Sequence, residues 1–320
     1  MQVDFLEWMN LLREEYLKDF IKQGGAAVKF SVSSSPELAE RLKRDIAAEA
    51  ERESYLVAQV DASVVRVHLM QELFHEIARQ IPWEDLARRV VARCYQNEGF
   101  EVSGPDLRVD SVADQNGVIP GPLRMQIRRS LEGLLYRSHD LARDFRYAML
   151  WMCMAQITRL EGGGPDVELI EQWLTGNLRL ISGVKRLLIF EKIGRHNARA
   201  MLSSLGAWMR LAGHPGFLFI LDIRQLAIAK RQDIGNGTLH YTVAAAMDAY
   251  EVIRQLIDST DDLSGFLSVV LAPPELFEDE KRGVKAYKAL YERIWPDVRL
   301  KSRANPLSAL TSLVAVGATL

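Results

Sequence analysis

A chain of 320 residues, 48% hydrophobic and 26% charged, has the composition of a folded globular protein with room for one large domain or two smaller ones. Its 40 Lys and Arg stand against 42 Asp and Glu, so no global charge drives it toward nucleic acid; such a contact needs a local patch. The two cysteines, Cys94 and Cys153, are far apart and lie in apolar helical contexts. That excludes a disulfide framework and a zinc-ligand spacing, and predicts reduced core thiols in a cytoplasmic protein.

Residues 1–22 predict an N-terminal amphipathic helix, with Phe5, Trp8, Met9, Leu12, Tyr16, Leu17 and Phe20 recurring at helical spacing from residue 3. Gly24-Gly25 stops it. Its polar residues, Asp4, Glu7, Arg13, Glu14 and Glu15 among them, do not read as a signal peptide, and their mixed sign favours packing on the domain over a membrane surface. No apolar run approaches the roughly 18 residues of a spanning helix, and the tail from Leu307 is broken by Ser, Thr and Gly.

Residues 23–82 predict a βαβ unit: a strand over 27–32, a helix to about Arg52, a strand over 55–60 and a helix over 64–80. Ser34, Ser35 and Pro36 are helix-start signals, and Ser34 with Glu37 forms a capping-box pattern. Residues 83–182 change character and predict a helical insertion. It comprises a helix over 83–95, a loop-rich stretch over 98–122 with Asn116-Gly117 and Pro120-Gly121-Pro122, two or three helices, a break at Gly162-Gly163-Gly164-Pro165, and a helix near 167–174. Residues 183–320 return to the alternating pattern, with a helix over 197–212 and a turn at Gly213–Gly216. The run Phe217-Leu218-Phe219-Ile220-Leu221-Asp222 reads as a buried parallel strand; a helix over 242–258, a strand over 265–271 and a helix over 286–295 follow.

The stretch after the first strand of the βαβ unit has the setting of a phosphate-binding P-loop without its chemistry. A P-loop needs glycines for backbone wrapping, a Lys for the outer phosphates and a hydroxyl for Mg²⁺. With the first glycine position at Ser33, the second falls at Leu38, the Lys at Ala39 and the hydroxyl at Glu40. Glu37 and Glu40 complement the helix dipole themselves and would repel a triphosphate. An apolar strand ending in Asp222 fits the Mg²⁺-supporting Asp of a Walker B strand beside the P-loop, but Ile223 stands where hydrolytic relatives place a Glu.

Several runs resemble the BREX-system (bacteriophage exclusion) ATP-binding domain family. They are Arg195 to Leu202 with Ser204-Leu205, Ala212 to Gly216, Tyr250 to Gln255 with Asp258, Pro274 to Phe277 with Arg282-Gly283 and Tyr287, and Arg303 to Leu307. Phe20-Ile21, Gly24-Gly25 and Val28 to Phe30 resemble the family's lead-in to its P-loop, so the resemblance spans about residues 16–310. It implies an α/β P-loop NTPase fold of the AAA+, origin-recognition-like type, with a mostly parallel sheet and a place in a bacterial antiviral operon. ATP and Mg²⁺ are the family's expected cofactors; the departures at residues 33, 38–40 and 223 predict that neither binds here and that no catalytic residue remains. The expected role is that of a pseudo-ATPase subunit, scaffold or regulator of an active ATPase paralogue, helicase or other effector, in an oligomer.

An alternative is nucleic-acid or partner contact through Arg124, Arg128, Arg129, Arg137, Arg143 and Arg146, which face few acids. Another is residual ATPase activity at an unconventional loop. His68, Glu72 and His75 are spaced for one helix face but lack further ligands, and no metal site is expected. Met149, Met152 and Met154 with Trp151 read as helix core.

Overall fold

The computed structural model describes residues 2–33, 35–158, 164–229, 237–295 and 307–314. The chain divides into two compact units, residues 1–77 with 214–320, and residues 78–213. Sequence patterning places those boundaries at 82/83 and 182/183.

The first unit is built on a six-stranded sheet in the order β1-β6-β2-β5-β4-β3. Its strands are β1 (Gln2–Asp4), β2 (Ala26–Ser33), β3 (Leu56–Asp61), β4 (Phe217–Asp222), β5 (Phe266–Ala272) and β6 (Leu310–Val314). Every pairing is parallel. Parallel strands need crossover connections, and helices supply them: α2 (Pro36–Arg52) links β2 to β3, and α10 (Val243–Asp258) links β4 to β5. The result is an α/β fold compatible with a P-loop NTPase-like core.

Burial follows the sheet. All six residues of β4 and all seven of β5 are buried, as in central strands covered on both faces. Leu218 and Ile220 of β4, with Leu267, Val269 and Leu271 of β5, pack against Leu38, Leu42 and Ile46 of α2. The N-terminal stripe joins the same core through Phe5, Trp8, Leu12, Leu17 and Ile21. Its backbone differs from the expected single helix: β1 comes first, Asp4 accepts the Leu6 and Glu7 amides to start helix α1 (Phe5–Leu11), and a π-helical stretch continues over Leu12–Phe20.

Strand β6 was not expected from sequence. Its Thr311 and Leu313 are buried while Leu310, Ser312 and Val314 are half-exposed, an alternation that Thr and Ser conceal in an apolar tail. Lys29 of β2 holds the approach to β6. Its ammonium donates to the carbonyls of Leu307 and Ser308 and lies 4.3 Å from the Tyr16 ring centroid. Burial pushes its pKa down from 10.5 to about 8. The native state therefore releases this proton before the unfolded chain does. Between those two pH values the unfolded chain holds more protons, so stability rises with pH there and Lys29 is most costly below about 8. Relative to Lys29→Met, the parent is expected to gain about 3 kcal/mol over that window. Urea unfolding at several pH values checks this, and parallel pH profiles would contradict it.

The second unit is helical: α4 (Trp83–Asn97), α5 (Val109–Asn116), α6 (Pro120–Tyr136), α7 (Arg143–Ile157), α8 (Gly164–Leu174) and α9 (Ala198–Leu211). Helix α9 belongs here rather than with the sheet. The stretch 98–122 is not simply a loop. Gly117, at φ 64°, is the left-handed cap that ends α5, and Pro120 opens the first turn of α6. Turn-forming residues there end one helix and begin the next. Cys94 and Cys153 are buried free thiols, and burial pushes Cys94 up to about 11. No helix among the described residues is long and apolar enough to cross a membrane.

Candidate functional site: a self-filled carboxyl edge

In a parallel α/β sheet, ligand chemistry collects at the carboxyl ends of the strands. Here Asp61 of β3 pairs in register with Asp222 of β4, Asp222 with Leu271 of β5, and Leu271 with Ser31 of β2. Strand β5 separates β4 from β2, so the Asp222 strand is not the direct neighbour of the P-loop-like strand that its sequence pattern suggested. Both nevertheless end at the same edge of the sheet. Asp222 shares its face with Leu218 and Ile220, the face covered by α2.

The connection from β2 to α2 is very short. Strand β2 ends at Ser33 and α2 begins at Pro36. Ser35 is the N-cap and accepts the Leu38 amide at 3.2 Å; the Ser34–Glu37 capping box expected from sequence involves Ser34, which lies outside the described residues. The Glu37 carboxylate takes its own backbone N–H and the Ser35 hydroxyl, which lower its pKa. The first-turn donors that a phosphate would use are thus engaged within the chain. Leu38 and Ala39, at the predicted second-glycine and Lys positions, are buried inside α2, and Glu40 at the hydroxyl position is half-exposed one turn in. The Ser33 hydroxyl is buried and has no hydrogen-bond partner among the described residues.

Asp222 does not wait for a metal. Its side chain is 2% exposed and is met by Arg224, two residues on. Arg224 Nε donates to both Asp222 oxygens, at 2.9 and 3.1 Å, and its Nη2 bridges Asp222 Oδ2 and Glu40 Oε1. The Arg224 amide adds a bond to Asp222 Oδ1 at 3.1 Å, and Lys43 Nζ of α2 approaches Oδ2 at 3.7 Å. Hydrogen bonds to Asp222 first, then to Glu40, hold the Arg224 guanidinium above its ordinary pKa. Glu40, Arg224, Asp222 and Lys43 therefore form a chain of alternating charge, with a tethered cation in contact with the one buried carboxylate of the edge. Ile223, at the position after the strand-end Asp where the sequence pattern expects a water-orienting Glu, is fully buried and has no group that could move a proton.

These residues do not fit a Mg²⁺–nucleotide. The metal's carboxylate is already bidentate to a guanidinium, the connection has no room to wrap a phosphate, and the expected hydroxyl position carries a carboxylate.

A model of the BREX system ATP-binding protein BrxC/D family matches residues 123–315, more than half of the chain. The chain belongs to this family. The match to the BREX family includes β4, Asp222 and Arg224 but begins after β2 and α2, so Glu40 and Lys43 lie outside it. No curated protein and no solved structure matches the chain.

In this BREX family member four of the six candidate arginines of the helical unit are engaged within the chain. Arg124 reaches Asp110 at 3.5 Å and Arg128 reaches Glu132 at 2.8 Å. Arg143 pairs with Asp144 at 2.9 Å. Arg146 points inward, donating to the carbonyls of Tyr136, Ser138 and Leu141 and closing the turn between α6 and α7. Arg129 lines a groove with Glu98, Met125 and Gln126, and Arg137 is exposed. His68 precedes α3 (Met70–Arg79) instead of sharing its face with Glu72 and His75, and packs edge-on against Tyr241.

Arg224 is the residue that sequence reasoning missed. Its signal was a basic residue two positions after the strand-end Asp, the spacing at which a side chain can fold back on the strand terminus.

Proposed function

We propose that this chain is a non-hydrolysing, ATPase-like subunit of a bacteriophage-exclusion system, acting as scaffold or regulator of an active ATPase, helicase or other effector. The observation that carries this is the Glu40–Arg224–Asp222–Lys43 network, in which an internal guanidinium takes the carboxylate that a nucleotide-bound metal would need. The two-residue connection after β2 and the buried Ile223 support the same reading. Membership of a BREX ATP-binding family supports work alongside other subunits of that system.

Nucleic-acid docking through the α6–α7 arginines is the weaker reading, because three of the six face a carboxylate and Arg146 serves the local turn. Co-expressed with the active ATPase of its own system, a tagged chain is expected to retain that ATPase at constant stoichiometry through size exclusion. Alone it is expected to release no phosphate from ATP. Turnover by the chain alone that Asp222→Ala abolishes would overturn the proposal.

A further inference from the structure

The stretch from Leu178 to Arg199, irregular up to the start of α9, is strongly basic: Arg179, Lys185, Arg186, Lys192, Arg195 and Arg199 stand against the single acid Glu191, and only Arg186 among these six makes an ion pair with a carboxylate outside the stretch, that of Asp166, among the described residues. The whole chain, by contrast, carries a net charge of −2. The same stretch displays apolar side chains to solvent. Leu180 is 71% exposed, Leu188 43% and Phe190 45%, and Trp151 of α7 beside them is 37% exposed. Trp151 therefore faces outward, unlike Met149 and Met152 on the same helix, which are buried.

The backbone under this surface is fixed by side chains. Trp151 Nε1 donates to the Leu187 carbonyl at 3.1 Å. The buried Asp144 accepts the Phe190 and Glu191 amides at 2.9 and 3.2 Å, and Trp173 Nε1 donates to the Glu191 carbonyl at 2.8 Å. Between these pins Leu188 adopts φ 63°, a left-handed conformation that favours glycine. A leucine held there has its side chain half in solvent rather than in the core. Arg143 lies over the Phe190 ring at 5.2 Å while keeping its pair with Asp144 at 2.9 Å, so it extends the apolar face and leaves the open positive charge to the lysines and arginines of the stretch.

Pre-ordered backbone, aromatic and arginine side chains, and a basic rim are the composition of a protein-binding surface whose ordering cost is met before the partner arrives. We infer that the surface formed by Arg143, Trp151, Leu180, Lys185, Leu188 and Phe190 docks an acidic segment of another protein that carries aliphatic or aromatic side chains on one face. Charge complementarity fixes the sign of the partner. Only Trp151 and Phe190 could stack a base; the Phe190 ring already carries Arg143, and the aliphatic Leu180 and Leu188 offer no further platform, which favours a protein segment over nucleic acid. Leu188, Phe190 and Trp151 are each more than half covered, so they form a flush surface rather than side chains long enough to enter a lipid interface. This inference rests on the scaffold reading of the chain, but its test uses no nucleotide, so the two fail separately.

The test uses the full chain and a fluorescein-labelled amphipathic helical peptide, with Leu and Phe on one face and Glu elsewhere, followed by anisotropy. Binding is expected, and the double variant Leu188→Ser/Phe190→Ser is expected to weaken it by about tenfold or more. Leu188→Gly is expected to weaken it as well while leaving the Tm equal to or above the parent's, because glycine relieves the left-handed backbone. A purely structural Leu188 would instead lower the Tm on replacement, and that result would overturn the inference. So would equal binding by the double variant, equal binding of a control peptide with Ser in place of Leu and Phe, or displacement of the peptide by an oligonucleotide or by anionic vesicles.

Discussion

Replacing Arg224 by methionine is expected to cost about 3 kcal/mol of folding stability, because it strands a buried carboxylate. Asp222 is 2% exposed and sits on the sheet face covered by α2, so it cannot turn to water. With Arg224 gone it keeps the Arg224-position amide and Lys43 at 3.7 Å, too little to replace a bidentate guanidinium. The reverse change, Asp222→Asn, is expected to cost less. Arg224 is 24% exposed and already reaches the half-exposed Glu40, so it can follow that partner toward solvent. Combining Arg224→Met with Asp222→Asn is expected to recover most of the loss, since no charge is then left buried. Denaturant unfolding of the four species gives the coupling directly. Additive single losses would show that the pair is not the interaction the geometry indicates.

Arg282→Met carries the second large expected effect. Arg282 is 5% exposed, and its guanidinium lies on two backbone carbonyls: Nε donates to Leu226 and Nη2 to Tyr241. Leu226 belongs to the short 3₁₀ turn Arg224–Ala227 that carries Arg224, so Arg282 fixes the backbone from which the internal cation projects. Its own position is held by Asp279, which accepts the Lys281 and Arg282 amides, and by Tyr250, whose hydroxyl donates to the Arg282 carbonyl at 3.0 Å. Gly283 follows because a Cβ there would meet the Asp279 carbonyl oxygen at 2.2 Å. Methionine fills the volume but leaves both carbonyls without a donor, for a loss of about 3 kcal/mol. Lysine does not restore it, since a single ammonium cannot span two carbonyls placed for a planar fork. Hydrogen exchange is expected to accelerate over residues 224–227 ahead of β4 and β5, and uniform acceleration would contradict the local role.

The strongest sequence signals were those set by burial on both faces. The runs that form β4 and β5 are continuously apolar, and their strands fall within a residue of expectation. Helices with a cap and a clear stripe, such as α2 and α10, were equally legible. Strand β6 was not, because the consecutive Thr311 and Ser312 put one polar residue on each face and its partner strands are 277 or more residues away in sequence. The same limit applies to the site. In the sequence Glu40 and Ile223 stand as departures from the nucleotide-site pattern, and Glu40 reads as a repelling charge. Its pairing with Arg224 spans 184 positions and depends on β5 spacing β4 from β2. Local patterns state what each element is made of; which charges meet is decided by strand order. The basic, apolar stretch 178–199 escaped for another reason. Leu187 and Ile189 are buried and Leu188 and Phe190 are not, but all four are apolar, so the sequence carries no polar contrast that would separate them.

The most direct measurement is calorimetric titration of the purified full chain with ATP and Mg²⁺. No binding heat is expected up to millimolar nucleotide, because Asp222 is already occupied by Arg224 and no phosphate-wrapping loop joins β2 to α2. One-to-one binding in the micromolar range or tighter would contradict the self-filled site and show that the guanidinium yields its place to the nucleotide.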